Sequence, residues 1–303
     1  MTDINFQYKK CQICPRKCNV NRASGEKGYC NETAVPRAAR AALHFWEEPC
    51  ISGDKGSGAV FFTGCNLGCV FCQNYEISHD DSGKDISSER LVEIFFELKE
   101  KKANNINLVT GDIFIPTIID AIESAKKQGF SLPFVFNTSS YLNVDSIRAL
   151  DGLIDIYLPD FKYWKSESAK KYSDAADYPQ IASDAIAEMY RQQPVSVFGE
   201  NGLMKKGVLV RHLLMPHGLL EAKIIVKYLY DTYGDDIYIS LMNQYTPDPL
   251  LQGKYPEISK SVSEREYDEL INYAVKIGLK NGFMQECGTV SESFIPQFDY
   301  EGI

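Results

Sequence analysis

The stretch "GSGAVFFTGCNLGCVFCQN" (56–74) decides how the chain is read. Its first part, AVFFT (59–63), is an unbroken apolar run of the kind found in strands buried on both faces. Its second part holds Cys65, Cys69 and Cys72, spaced C-x3-C-x2-C. The cysteines follow the strand directly, and in α/β barrels chemistry gathers where strands end and βα loops begin. Three soft ligands so close together read as a metal site, yet a closed structural site takes four. The residues alone leave two readings. A four-iron cluster held by three thiolates keeps one iron open to an exchangeable ligand. A structural zinc ion would instead draw a remote fourth ligand, Cys50, His79 or Cys287.

Working outward, the apolar runs alternate with helical patterns. INLVT (106–110), PFVFN (133–137), IDIYLP (154–159), GVLVRHLLM (207–215) and IYISLM (237–242) read as further strands, and GFMQE (282–286) as one more short one. Between them, Ser87 and Ser88 cap a helix to about residue 103, and Pro116 opens one striped by Ile115, Ile118, Ile119 and Ile122. Asn143 caps a short helix, residues 165–193 are mostly helical, another helix runs over 219–231, and Ser263 with Glu266 forms a capping box. Six strands alternating with helices predict parallel βαβ units, which a doubly wound sheet and a barrel both satisfy.

The chain of 303 residues is 44% hydrophobic, enough for one large α/β unit with a small appendage. It has no apolar run long enough to span a membrane, and its first residues lack the pattern of a secretory signal, so the expectation is cytoplasmic. A net charge of −9 disfavours nucleic acid as a partner. Nine cysteines, an odd number, argue against a disulfide framework. Seven fall in two tight groups, with Cys50 and Cys287 alone. The second group, Cys11, Cys14, Cys18 and Cys30, is spaced C-x2-C-x3-C-x11-C. Four thiolates close a site completely, so zinc, iron or a second [4Fe-4S] cluster would fit. Residues 1–57 are expected to form a loop-rich metal-binding cap and 58–303 the main α/β body.

The three-cysteine loop, with Phe71 before its last cysteine, resembles the signature of the radical S-adenosylmethionine (SAM) superfamily. The stretches "CPRKCNVNRASGEKGYC", "EEPCISG", "NINLVT", "YLPDFKY", "RHLLMPHG" and "FIPQFDYEGI" extend the likeness to its pyruvate formate-lyase activating enzyme-like branch. The resemblance implies a partial (β/α)6 barrel and an oxidoreductase that cleaves SAM reductively at a [4Fe-4S] cluster. The 5′-deoxyadenosyl radical so released would take hydrogen from a substrate, such as a glycine of a partner protein, another peptide or a small molecule. It also implies a reductant such as flavodoxin or ferredoxin. The competing class is a non-catalytic iron–sulfur or zinc redox or sensor protein, which explains the cysteines alone.

Site residues follow from the same resemblance. Phe71 is placed against the adenine. Thr110-Gly111-Asp112 stands where the family has a Gly-Gly-Glu-like stretch that binds the methionine amine, a departure in this chain. Asn137, Thr138 and Ser139 offer short polar groups at the barrel rim. Asp160 and Lys162 are similar to the family's Asp-x-Lys pair, whose lysine neutralises the SAM carboxylate. Arg211 and His212 are neighbours in one strand, so at most one points inward, with Arg211 the SAM or substrate candidate. Cys287 is a weak candidate hydrogen donor and Cys50 either a neighbour of a metal site or a packing thiol.

Overall fold

The computed structural model describes residues 6–80, 82–248, 251–285 and 295–303. The chain opens with α1 (Phe6–Lys9), β1 (Arg37–His44), α2 (Pro49–Ser52), β2 (Ser57–Phe62), α3 (Tyr75–His79) and β3 (Lys84–Asp85). Regular alternation follows: α4 (Ser88–Glu100), β4 (Ile106–Val109), α5 (Ile115–Lys127), β5 (Phe134–Thr138), α6 (Val144–Arg148) and β6 (Ile156–Pro159). Then come α7 (Ser166–Ser173), α8 (Tyr178–Gln192), β7 (Val197–Phe198), β8 (Met204–Leu213), α9 (Leu219–Tyr233), β9 (Tyr238–Met242), α10 (Glu264–Ile277) and β10 (Gly282–Met284).

The sheet order is β10-β9-β8-β6-β5-β4-β2-β1-β3, with β7 beside β8. Every pair from β2 to β10 along this path is parallel, and β1 runs antiparallel to β2. Six parallel strands, joined by β10 as a seventh, form an unclosed barrel of the expected type. The central strands β2, β4, β5 and β6 are buried at every position, as two-sided packing demands. Alternation along β5, β6 and β8 sends Phe134, Phe136, Tyr157, Val208 and Val210 out against the helices. Their neighbours Val135, Ile156, Leu158 and Leu209 point in, where Cys50 and Ile51 of α2 pack on them. The segment 45–52, which joins β1 to β2 at the N-terminal ends of the strands, thus plugs the floor of the barrel. Cys50 is a packing thiol there; Cys287 lies outside the described residues.

One local expectation changes. Asn143 stands at the start of α6 but its side chain makes no cap there; its Nδ2 donates to Gln12 O at 2.6 Å and ties the helix to the N-terminal segment. The alanine-rich stretch RAARAALH is the eight-residue strand β1. Beyond β1, residues 299–303 close part of its outer edge: Ala41 N donates to Glu301 O at 2.8 Å and Tyr300 N to Ala39 O at 3.0 Å.

Candidate active site

The three-cysteine loop leaves β2 through Gly64, whose φ of +73° lies in the left-handed region. A Cβ there would also stand 2.4 Å from Glu32 Cγ and 2.7 Å from Cys30 O, so glycine is required twice over. The loop is held from several directions. Gly64 N donates to Ile77 O at 2.8 Å, Val70 N to Tyr172 O at 2.9 Å, and Asn66 Nδ2 to Tyr141 O at 2.6 Å. Arg16, from the N-terminal segment, donates to Asn66 O and Leu67 O at 2.9 and 3.0 Å, and to Ser173 O and Asp174 O at 2.9 and 2.6 Å. Ser173 Oγ in turn donates to Cys69 Sγ at 3.1 Å.

Cys65, Cys69 and Cys72 line one cavity of about 1050 Å³ inside the barrel. Phe71, Thr110, Asn137, Thr138, Ser139, Asp160, Lys162 and Arg211 line the same cavity. Phe71 sits among Tyr163, Tyr172 and Tyr245, with ring centroids 5.9 to 6.4 Å away. Gly111 and Asp112 are buried behind the wall, outside the lining set. Gly111 allows close helix packing, since a Cβ would meet Ile118 Cδ1 at 2.6 Å. Burial pushes the Asp112 carboxyl up to about 7, with Thr138 and Ser139 pulling the other way. The turn thus offers the cavity Thr110, whose φ is +58°, rather than the carboxylate.

Arg211 is the inward residue of the Arg211–His212 pair. His212 is buried on the outer face, its Nδ1 2.7 Å from Phe161 O. The Arg211 guanidinium links three elements: Nε donates to Asp160 Oδ1 at 2.9 Å, Nη1 to Glu47 Oε2 at 3.0 Å and Nη2 to Asn137 Oδ1 at 2.6 Å. Lys162 Nζ donates to Asp160 Oδ2 at 2.7 Å, which completes a buried chain Glu47–Arg211–Asp160–Lys162. Burial pushes Asp160 up, but Arg211 and Lys162 outweigh it and hold the carboxyl below its ordinary range. Burial opposes the charge on Lys162 while Asp160 favours it, with the balance above the ordinary lysine value.

Glu47 and Glu48 were not assigned roles from sequence. Their signal was the run EEPCISG, two carboxylates ahead of a buried plug. Glu47 Oε1 accepts from Asn107 Nδ2 at 2.9 Å and Asn137 Nδ2 at 3.1 Å. Glu48 is 8% exposed, beside Ser240, and among the described residues its Oε2 has no hydrogen-bond partner. Burial pushes its carboxyl up while Arg211 opposes.

The N-terminal cysteines are near neighbours: burial pushes the Cys14 thiol up to about 12, with added repulsion from Cys30, Cys11 and Cys18. Arg22, 1% exposed, reaches Cys11 Sγ at 3.9 Å and donates to Ile113 O at 2.7 Å, beside the Thr110–Asp112 turn. Among the described residues, no three His, Cys, Asp or Glu side chains draw close enough to share one metal ion. For the loop, three thiols around one cavity wall are a donor set that fits the corners of an iron–sulfur cluster. No helix among the described residues is long and apolar enough to cross a membrane.

Comparison with known proteins agrees with this geometry. An uncharacterized protein of Methanocaldococcus jannaschii, MJ0674, is 28% identical over 283 residues, covering 90% of this chain and 76% of that one. Streptococcus suis SuiB bound to S-adenosylmethionine shares the fold, with a TM-score of 0.50 and 12% identity over 74% of this chain. This chain spans 48% of that SuiB chain, about half its length. A domain of a pyruvate-formate lyase-activating enzyme from Bacteroides vulgatus matches over 61% of this chain and all of that one, with 12% identity and a TM-score of 0.44. Residues 59–198, from β2 to β7, match the model of the Radical SAM superfamily.

Proposed function

We propose that this chain is a radical SAM enzyme that binds SAM across the top of the barrel and abstracts hydrogen from a substrate seated below it. The observation that carries the reading is one cavity shared by three thiols and a buried ion chain at the ends of parallel strands. Cys65, Cys69 and Cys72 would hold a [4Fe-4S] cluster, with the methionine part of SAM at its open corner. Bound there, the cluster supplies the one-electron reduction that splits SAM into methionine and a 5′-deoxyadenosyl radical.

The chain's own residues do the rest. Lys162 is positioned to neutralise a carboxylate, and Asp160 keeps it charged inside the barrel. Thr110, Thr138 and Ser139 line the same space, with the Thr138 and Ser139 hydroxyls turned to Asp112 behind it. Phe71, backed by tyrosines, offers an aromatic face for a purine. The walls exclude water from a reactive carbon radical. Sites enclosing a drug-sized molecule run to roughly 300–1,000 Å³. A cavity of about 1050 Å³ therefore has space for SAM and part of a second molecule.

A finer reading places the chain in the activating-enzyme-like branch, with a backbone glycine or other peptide as substrate and a flavodoxin or ferredoxin as reductant. Its support is the motif resemblance in the loop and flanking stretches. The four N-terminal thiols are read as a second metal site, whose Arg16 and Arg22 grip the two loops of the SAM pocket.

The test is anaerobic. Iron and zinc are counted, then 5′-deoxyadenosine is measured after dithionite reduction for wild type and Cys69→Ala. Product in wild type and none in the variant is the expected result. A fully iron-loaded wild type that neither binds nor cleaves SAM would overturn the reading. About four irons per chain mean one cluster, about eight a second at the N-terminal thiols, and zinc a closed structural site there.

A further inference from the structure

We propose that residues 45–48, Phe-Trp-Glu-Glu, are a receptor for a cationic nitrogen group of the substrate, the ammonium or guanidinium of a lysine- or arginine-like side chain. The proposal rests on the radical SAM reading for where the substrate sits. All four residues line the cavity. None is supplied by the segment that matches the superfamily, which starts at residue 59.

Charge matching carries the argument. Inside the barrel, the cations Arg211 and Lys162 are engaged by Glu47 and Asp160. Glu48 is the third carboxylate and has no cation of its own. Asp54 and Lys55 also line the cavity and offset each other. His44 adds no positive charge, because burial, Arg40 and Arg211 push it down to about 4. A carboxylate that is 8% exposed, with one oxygen unpartnered, is costly unless something donates to it. Burial alone favours the neutral carboxyl, and a charged donor at that oxygen is what holds Glu48 ionised.

Position and shape agree. Ser240, the neighbour of Glu48, stands opposite Arg211 in the β8–β9 register, two residues short of the strand end. Glu48 therefore sits within the barrel, below the rim where the cysteine loop lies. Phe45 and Trp46 are 50% and 53% exposed and line the same cavity. Exposed aromatic faces on the same cavity as a buried carboxylate suit a cation that sheds water on binding. An anionic group would instead meet three carboxylates against two cations.

The experiment uses the reconstituted enzyme with SAM present and titrates capped single residues by calorimetry. The probes are N-acetyl-lysine methylamide, N-acetyl-arginine methylamide and the neutral N-acetyl-norleucine methylamide, with n-butylammonium as a free amine. At least one cationic probe should bind about tenfold or more tightly than the norleucine probe, the range of one charged hydrogen bond. Glu48→Gln should erase that preference, while Glu123→Gln on the exposed face of α5 should keep it. Tighter binding of the capped residues than of n-butylammonium points to a peptide substrate, and the reverse to a small amine. Equal binding of the norleucine and cationic probes, no binding of any probe, or a preference that survives in Glu48→Gln overturns the proposal. The wild-type comparison stands even where the variant folds poorly. 5′-Deoxyadenosine formation is measured on the same samples: cleavage without probe selectivity refutes the receptor alone, and absence of SAM cleavage refutes the reading beneath it.

Discussion

Removing the Arg16 side chain should loosen the three-cysteine loop before it harms the barrel. One guanidinium holds four backbone carbonyls at 2.6 to 3.0 Å, two in the loop and two at the end of α7, and stacks 3.8 Å from the Tyr29 ring centroid. A hydrogen bond from a charged donor contributes about 1.5–3 kcal/mol net. Arg16 is half-buried, so its carbonyls regain some water when it is lost, and the side chain regains entropy. About 3 kcal/mol for Arg16→Ala is the expected total. Arg16→Lys should recover about a third, because an ammonium cannot fork across four acceptors. The assay is urea unfolding of the metal-free chain followed by tryptophan fluorescence, paired with hydrogen exchange at Leu67 and Val70. A second readout is the rate at which a chelator strips iron from the reconstituted protein, expected to rise several-fold. If Arg16→Ala unfolds within about 0.5 kcal/mol of wild type and keeps its iron equally long, the latch is not one.

Other perturbations separate neighbouring roles. Arg211→Met strands Glu47 without its cation, leaves Asp160 with Lys162 alone, and should cost about 3–5 kcal/mol in urea unfolding at pH 7. Asp160 is held below its ordinary range, so the stability it contributes is present above the unfolded carboxyl value and lost as pH falls through the folded one; the gap to wild type should narrow below about pH 4. A gap that is constant with pH would show that the ion chain is not its source. Asp112 has the opposite sign: pushed up to about 7 by burial, it erodes stability as pH rises from its unfolded value toward 7. Asp112→Asn should flatten that part of the stability–pH curve, and an unchanged curve would refute the assignment. Cys50→Ser places a hydroxyl among Val135, Ile156, Leu158 and Leu209 and should cost about 1–3 kcal/mol with iron content unchanged. Lost iron in this variant would make Cys50 a ligand rather than a packing thiol.

The parts legible in sequence were those whose physics is local. The inner strands are buried on both faces, so their apolar runs are continuous and need no partner to be seen. Ser263 with Glu266 marks a helix start by its own chemistry, and α10 begins there with both halves of the capping box made. β1 was ambiguous because RAARAALH is rich in alanine, the strongest helix former. Pairing with β2, β3 and residues 299–303 decides it, and none of those lies beside it in sequence. Alternation gave the choice between Arg211 and His212 but not its answer, which depends on which face of β8 meets the plug. Glu47 lies 164 residues from Arg211, so no window of sequence shows the pair. Asn137 was singled out as a polar rim group, yet both ends of its amide are taken by Glu47 and Arg211.

The plug at residues 45–52 has a consequence for how the barrel is assembled. The staves of the tube and its floor come from different stretches of the chain, the staves from β2 onward and the floor from what precedes it. Strand residues are locked on both sides, so a change in one disturbs helices, neighbours and register together. The plug packs on the inner face and bonds to Asn104 and Asn105 just before β4. Its tie to the staves runs through a few contacts, Glu47 to Asn107, Asn137 and Arg211 and Cys50 to the inner apolar face. An open barrel that borrows its floor in this way is assembled from two separate stretches of chain, joined inside by the Glu47–Arg211 pair.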